Sequence, residues 1–463
     1  MGAMLIGCVA SCGQSTTRPN GVASEPVPDT VALPDMLSAM STPLAARADH
    51  TIETATALQQ SASPEPTSAS DAPAPTAPVP TDPVSTDPVS TDPVLAEPEP
   101  ALLMAATGSG SPTGRVDGGL RHATLDFTGD TLIHSPIVNR ARTNATNTAV
   151  GGYDFSPMFA RVGPILAAAD LAICHLETPV APPGQPLSTY PMYGIPAQIA
   201  DGLAAAGYDR CSTASNHTID RGTGGIDATV AALEQAGLSQ AGMARTPDEA
   251  VATLVEAGGI TIAHLSYTYG FNGARLPAGE PWRSNPIDVG RIIVAADDAR
   301  ARGAEIVILN LHWGTEGSSD ISKFQRETAD AITRSGAVDL IVGEHAHVIQ
   351  PIEQVNGTWV VYGMGNFLSN MPTGTFPAKT QDGMIVSVSF SERADGSIAV
   401  EPPVVIPTWV DRRDGFVIRP VLADLADPNV SAAVKDLLYA SLQRTGEVVG
   451  GFVGATVSGQ GSG

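Results

Sequence analysis

Basic charge is scarce in this chain. Lys and Arg number 25 against 48 Asp and Glu, a formal net charge of −23. No long basic cluster stands out, so nothing here carries the electrostatic footprint of a nucleic-acid binder. No apolar run approaches the length of a membrane-spanning helix. Aromatics are few from residue 13 to residue 119, where Ser, Thr, Ala and Pro dominate and TDPVSTDPVSTDPV (81–94) is a five-residue repeat. Such a segment cannot bury enough apolar surface to offset its ordering entropy, and is expected to be a disordered, extended tether. Residues 1–120 hold 13 acidic and three basic residues, so they contribute −10 and the remainder −13. The acidity speaks for a well-solvated protein rather than for a particular partner.

Cysteine is scarce too, at four residues. Leu5-Ile6-Gly7-Cys8 and Val9-Ala10-Ser11-Cys12 each resemble a bacterial lipobox, in which the Cys after small residues takes lipid. Only seven residues precede Cys8, and they lack a basic n-region and a full apolar h-region. Either the natural start lies upstream of Met1 or the match is a coincidence of small residues. The tether behind it favours a lipid anchor on Cys8 or Cys12 and an extracytoplasmic place at the membrane surface. Cys174 and Cys211 fall inside strand-like runs and are expected to be buried, apolar-behaving thiols. A disulfide between them would need neighbouring strands of suitable geometry.

The chain thus divides into a signal- or lipobox-like segment (1–12), a tether (13–119), a folded domain (120–415) and a C-terminal helix with a Gly-rich tail (416–463). Within the domain, strand-like runs appear at 123–129, 171–177, 209–215, 260–267, 305–313, 339–345, 358–365 and 384–390. Helical patterns intervene at SPMFARVGPILAAA, PAQIADGLAAAG, GIDATVAALEQAG, DVGRIIVAADDARARG and FQRETADAITRSG, several closing on a Gly suited to a C-cap. The alternation implies right-handed crossovers and mostly parallel pairing. The last runs look antiparallel and suggest a second sheet. The expected fold class is α/β, a layered α/β/β/α sandwich.

Polar residues gather at the ends of these apolar runs. Asp130 follows ATLDFTG, Glu177 closes LAICHLE, and Asn216 and His217 follow DRCSTAS. His312 closes EIVILNLHW, and His345 and His347 close DLIVGEHAH (339–347). In open α/β sheets the C-terminal strand ends share one edge, where ligands bind. Two carboxylates, an amide and four imidazoles converging there form a ligand inventory for two divalent metal ions. Glu177 suits a bridge. Thr128-Gly129 is read as a sharp turn aiming Asp130 inward. Asn216-His217 can split roles, the amide ligating and the imidazole remaining free as an acid. Taken singly, each residue has a plainer reading: a His beside an apolar run is usually a hydrogen-bonded core residue, and an Asp after Thr-Gly a turn. Their joint placement at successive strand ends is what points to metal.

The motifs TGDTLIH, LAICHLETPV, STASNHTIDRGTGGIDATVAALEQAGL, LNLHWGTE, VGEHAHVIQPIE and VYGMGNFLSN closely resemble the CapA family, poly-γ-glutamate capsule synthesis proteins with a calcineurin-like metallophosphoesterase fold. The resemblance covers roughly residues 121–415. It implies that Asp130, Glu177, Asn216, His312, His345 and His347 bind metal, and that His217, Asp220 and Glu316 serve catalysis. His175 stands where the family has the Asn of Asn-Leu-Glu. Glu344 and Ala346 depart from Gly-His-His-Pro-His, leaving Glu344 either a further ligand or a solvent-facing residue. Gly365-Asn366-Phe367 keeps the family's Gly-Asn-Phe. His134 lies four residues past Asp130 rather than two, which puts its ligation in doubt. The resemblance further implies a link to poly-γ-glutamate or a related cell-envelope polymer and its membrane synthesis or export proteins. Mn, Fe and Zn suit the mixed ligand set equally. Two functional readings follow: a two-metal hydrolase or transferase of phosphoesterase type, or a non-catalytic polymer-handling subunit.

Overall fold

The computed structural model describes residues 119–145 and 152–454, so the expectations for the lipobox-like segment, the tether up to residue 118 and the last residues of the tail lie outside the described residues. Strand β1 (His122–Thr131) is central to the first sheet and pairs in parallel with β2 (Leu171–Leu176). Beyond it follow β3 (Arg210–Ser212) and β4 (Ser239–Ala241), also parallel. The second sheet holds β5 (Thr253–Ala257), β6 (Ile260–Thr268), β7 (Ile306–His312), β8 (Leu340–Glu344), β9 (Ile352–Val355) and β10 (Thr358–Val361), in the order β5-β6-β7-β8-β10-β9. Its centre, β6-β7-β8-β10, is parallel. The chain then returns to the first sheet. Short β11 (Asn366–Leu368) pairs with the end of β1, and β12 (Asp382–Glu392) runs antiparallel to β1. β13 (Ile398–Val400) pairs with β12, and β14 (Val404–Asp411) and β15 (Val417–Pro420) complete the antiparallel edge.

The two sheets face each other across Leu125, Phe127, Ile173, Ile262, Ile308, Leu340 and Val386. The outer face of the first sheet is covered by α1 (Ser135–Ala145), α2 (Ser156–Phe159), α3 (Gly163–Leu166), α4 (Ile199–Ala205) and α5 (Gly222–Gln235). Against the second sheet lie α6 (Val289–Ala301) and α7 (Lys323–Ser335), whose Ile292, Ala296, Ala329 and Ile332 pack on Leu309 and Ile341. The result is the α/β/β/α sandwich expected. It also explains why β7 reads as an unbroken apolar run: Ile306 and Ile308 face the other sheet, Leu309 and Leu311 the helices. Helix α7 opens on a capping box between Ser322 and Gln325, and it closes on left-handed Gly336, the Gly C-cap the sequence predicts.

Three local expectations change. SPMFARVGPILAAA forms two single-turn helices, α2 and α3, because Pro164 within one longer helix would lack an N–H and press on the carbonyl of Ala160. Cys174 and Cys211 are not free thiols but a disulfide. They are direct register partners on β2 and β3, with Cα atoms 4.4 Å apart, which is within bridging reach. The C-terminal segment supplies more than a helix. β15 extends the first sheet, and α8 (Val421–Ala426) and α9 (Ala432–Val449) pack Val421, Leu422, Leu438 and Leu442 around Trp409.

Candidate metal centre

Five parallel strands deliver the site residues to one edge. Asp130 lies near the end of β1, Glu177 follows β2, and Asn216 and His217 follow β3. His312 ends β7, Glu344 ends β8, and His345 and His347 lie just beyond. Gly129 acts differently from the turn expected of it. β1 continues through it as strand, its register with β2 shifting between Phe127 and Asp130, and a Cβ there would collide with the Gly365 carbonyl, so glycine permits a close approach that brings Asp130 beside β11. The Asp130 N–H donates to that same carbonyl at 2.9 Å. His345 and His347 adopt left-handed backbone, φ 89° and 56°, which is unfavourable for residues with a Cβ and is tolerated where surrounding structure imposes it.

Glu177 stands at the middle. It is fully buried, and neither carboxylate oxygen has a hydrogen-bond partner. His347 Nε2 lies 3.8 Å from its Oε1, and His217 Nε2 and His312 Nε2 each lie 4.0 Å away. A buried carboxylate left unsatisfied is costly, and these imidazoles stand too far off to satisfy it. Two metal-capable groups share it: Asp130–Glu177–His347 and Glu177–His312–His345, each with ligand atoms within 4.8 Å of one another. Asn216 Oδ1 adds an oxygen 3.1 Å from His312 Nε2. Asp130 accepts from the His345 N–H at 3.1 Å and from His347 Nδ1 at 2.9 Å. The mixed carboxylate, imidazole and amide donors, with an orphaned carboxylate at their centre, fit divalent cations.

The electrostatics agree with that fit. Burial pushes Glu177 up to about 7, His345 down to about 3 and His312 well below the ordinary imidazole range. Neutral His312 and His345 keep the lone pairs that ligation requires. His347 goes the other way: burial alone would lower it, but Glu177 and Asp130 outweigh burial and push it up to about 10. For Asp130 burial opposes ionisation, yet the His347 bond holds it below the usual carboxylate range.

His217 is held for another task. Its Nδ1 lies 2.7 Å from Asp220 Oδ2, which also accepts from the Tyr193 N–H at 2.7 Å, and the Tyr193 ring meets the imidazole edge-on. Nε2 therefore faces Glu177. Glu316 is exposed at the rim and forms a further group with His345 and His347. His134 belongs to none of the metal-capable groups; its Nδ1 lies 3.2 Å from the Asn370 N–H. Glu344 does not face solvent: it is buried and bonded to Ser212 and Asn310. The structure adds residues not assigned from sequence. His175 joins Asp130 and His312 in a fourth group, and its sequence signals are an imidazole inside the apolar run LAICHLE and its place beside Glu177 in that motif. Tyr269, whose ring lies 4.6 Å from that of His345, comes from a loop with no motif.

Fold and site together define an α/β/β/α protein with a candidate metal centre at its strand ends. Residues 124–371, more than half of the chain, match the family model described as bacterial capsule synthesis protein PGA_cap, and the chain belongs to that family. The PGA biosynthesis protein CapA of Bacillus subtilis is 29% identical over 235 residues, covering 49% of this chain and 59% of that protein. The capsule biosynthesis protein CapA of Bacillus anthracis is 25% identical over 289 residues, covering 58% and 69%. The chain thus spans less than two thirds of the first of these relatives. Solved structures with some likeness include the calcineurin-like phosphoesterase YfkN from Bacillus subtilis, at 15% identity and a TM-score of 0.37, covering 71% of this chain and 98% of that one. So loose a superposition adds nothing to the fold read directly from the sheets.

Proposed function

We propose that this chain is an exported, lipid-anchored member of its family that acts on poly-γ-glutamate or a related envelope polymer, and that it carries a two-metal hydrolase or transferase site of phosphoesterase type. The observation that carries the reading is Glu177, buried, unpartnered and ringed by imidazoles. Asp130, Glu177 and His347 would hold one ion, and Glu177, Asn216, His312 and His345 the other. Such ions lower the pKa of a bound water and polarise a phosphoryl or acyl oxygen. His217 presents Nε2 beside that position as the acid for a leaving oxygen, and Asp220 fixes its ring by accepting a hydrogen bond from Nδ1–H. Glu316 borders the open side.

Export is supported by the Cys174–Cys211 bond, since disulfides persist in oxidising compartments. The lipobox-like residues before Cys8 and Cys12 supply the anchor, and membrane synthesis or export proteins are the expected partners. Among the described residues no helix is long and apolar enough to cross a membrane. The test is metal analysis of the full chain purified without chelator, followed by a phosphoester panel with and without Mn. Bound divalent metal and Mn-dependent turnover are expected. Absence of bound metal, together with no thermal shift on adding Mn or Zn, refutes the site. Turnover absent from a metal-loaded chain that still restores surface polymer in a deletion strain would leave polymer handling without catalysis.

A further inference from the structure

Behind His312 lies a chain of buried polar residues that the catalytic reading does not use. His312 Nδ1 lies 3.0 Å from His175 Nε2. His175 Nδ1 in turn lies 2.8 Å from Ser212 Oγ and 3.2 Å from Glu344 Oε2. Ser212 Oγ is 3.0 Å from Glu344 Oε1, and Asn310 Nδ2 donates to that same oxygen at 2.5 Å. Asn310 Oδ1 is 2.9 Å from His264 Nε2, whose Nδ1 accepts from Arg210 Nε at 2.9 Å. All of these side chains are buried to within 1%.

The directions of these bonds are constrained. Arg210 can only donate, so His264 accepts at Nδ1 and donates from Nε2, and Asn310 accepts with its oxygen and donates its amide to Glu344. On the other arm, Ser212 has one proton, and the oxygens in its reach are Glu344 Oε1 at 3.0 Å and the Cys174 carbonyl at 3.4 Å, of which Glu344 is the nearer. Its oxygen therefore accepts the Nδ1 proton of His175. That leaves a lone pair on His175 Nε2, which takes the Nδ1 proton of His312. Both arms thus donate toward Glu344.

We propose that Glu344, acting through Ser212 and His175, is a positioning residue that fixes His312 as the Nδ1–H tautomer and leaves Nε2 free for a metal ion. Two acceptors, His312 Nε2 and Asn216 Oδ1, then face each other 3.1 Å apart, as two ligands of one ion do. Metal-ligating histidines commonly donate their other N–H to a carboxylate. Here a second imidazole is inserted between the ligand and the carboxylate. The inference rests on His312 ligating through Nε2, as proposed above.

The test uses the full chain, stripped with EDTA and titrated with Zn by calorimetry, with the histidine tautomers read by long-range 1H–15N NMR in the Zn-loaded state. Glu344→Gln can donate an amide proton to His175 and so reverse that arm; Zn affinity should fall about 10- to 100-fold. His175→Asn offers its own carbonyl to His312, so it should bind Zn within about threefold of wild type and should rescue Glu344→Gln. The wild-type spectrum should show His312 protonated at Nδ1 and ligated at Nε2. Should Glu344→Gln fail to fold, His175→Leu, which removes the acceptor, replaces it and must weaken Zn where His175→Asn does not. Wild-type affinity in Glu344→Gln, or a proton on His312 Nε2, overturns the relay. A His175→Asn loss as large as that of Glu177→Ala makes His175 a ligand instead and also overturns it. A wild-type chain that binds no Zn fails at the metal reading beneath, a result distinct from all of these.

Discussion

Asp126 offers a quantitative test of how this sandwich tolerates buried charge. It lies on β1, four residues before Asp130, is 3% exposed and leaves Oδ1 without a partner. Burial pushes its carboxyl from 3.8 up to about 6, opposed only by a hydrogen bond from Ser387, its register partner on β12. At about 1.4 kcal/mol per pH unit, the ionised form costs the fold about 3 kcal/mol. The folded pKa is raised, so the folded chain holds a proton that the unfolded chain has lost. Stability therefore declines as pH rises from about 4 to about 6, and the full penalty stands above that. Asp126→Asn removes the charge but leaves an amide donor unpaired, at about 1 kcal/mol. The variant should be more stable than wild type by about 2 kcal/mol at pH 8, with the gain gone near pH 4. Urea denaturation in EDTA at several pH values measures it, and chelation keeps metal binding out of the comparison. A difference that stays flat with pH, or a variant weaker at pH 8, would refute the reasoning.

Replacing Cys174 and Cys211 together by Ala opens a crosslink of sequence separation 37, and chain entropy puts the loss at about 4 kcal/mol, readable as a lower denaturation midpoint under non-reducing conditions. His217→Ala should keep its metal and lose about 10²–10⁴-fold in turnover, the contribution of a positioned acid; Asp220→Asn should fall the same way by less. Glu177→Ala should lower metal content more than any other single ligand change, since a bridge serves both groups, and unchanged content would remove the bridge assignment. Peptide mass spectrometry of membrane-extracted protein should show a diacyl mass on a peptide starting at Cys8 or Cys12; an unmodified N-terminus upstream, on a cytosolic protein, rejects the anchor.

What the sequence discloses and what it hides divide along a physical line. Strand ends are legible because an apolar run closing on Asp, Glu or His is a local pattern, and parallel crossovers force such ends to one edge. Asp130, Glu177, Asn216, His312, His345 and His347 are legible for that reason. Register between strands is not a local property. Cys174 and Cys211 are bonded because β2 and β3 align them, and nothing in either run states that alignment. The His175–Glu344 contact is hidden in the same way, since it joins β2 to β8 across two sheets. Tyr193 and Tyr269 approach His217 and His345 from irregular segments, where periodicity is silent. The split of α2 from α3 was legible in principle, because Pro164 bars a continuous helix.

Strain and unsatisfied polarity coincide at the metal-capable edge, although Phe416 is left-handed and Asp126 Oδ1 unpartnered elsewhere. His345 and His347 carry left-handed backbone, Gly129 and Gly365 press against each other, and Glu177 and His345 hold buried atoms with no partner. Away from that edge, α6 and α7 are capped in the ordinary way by the side chains of Asp288 and Ser322. A chain that breaks several local rules together at one edge is expected to recover the loss there, through whatever that edge binds. A divalent ion would do so directly: it would satisfy Glu177, neutralise the facing carboxylates and occupy the imidazole lone pairs. Because such an ion binds the folded chain and finds no assembled site in the unfolded one, its affinity adds to folding stability in proportion to the logarithm of its concentration. The same residues that weaken the metal-free chain would then become its main source of added stability once loaded, so metal-dependent stability, rather than activity on any one substrate, is the property that this edge predicts most directly.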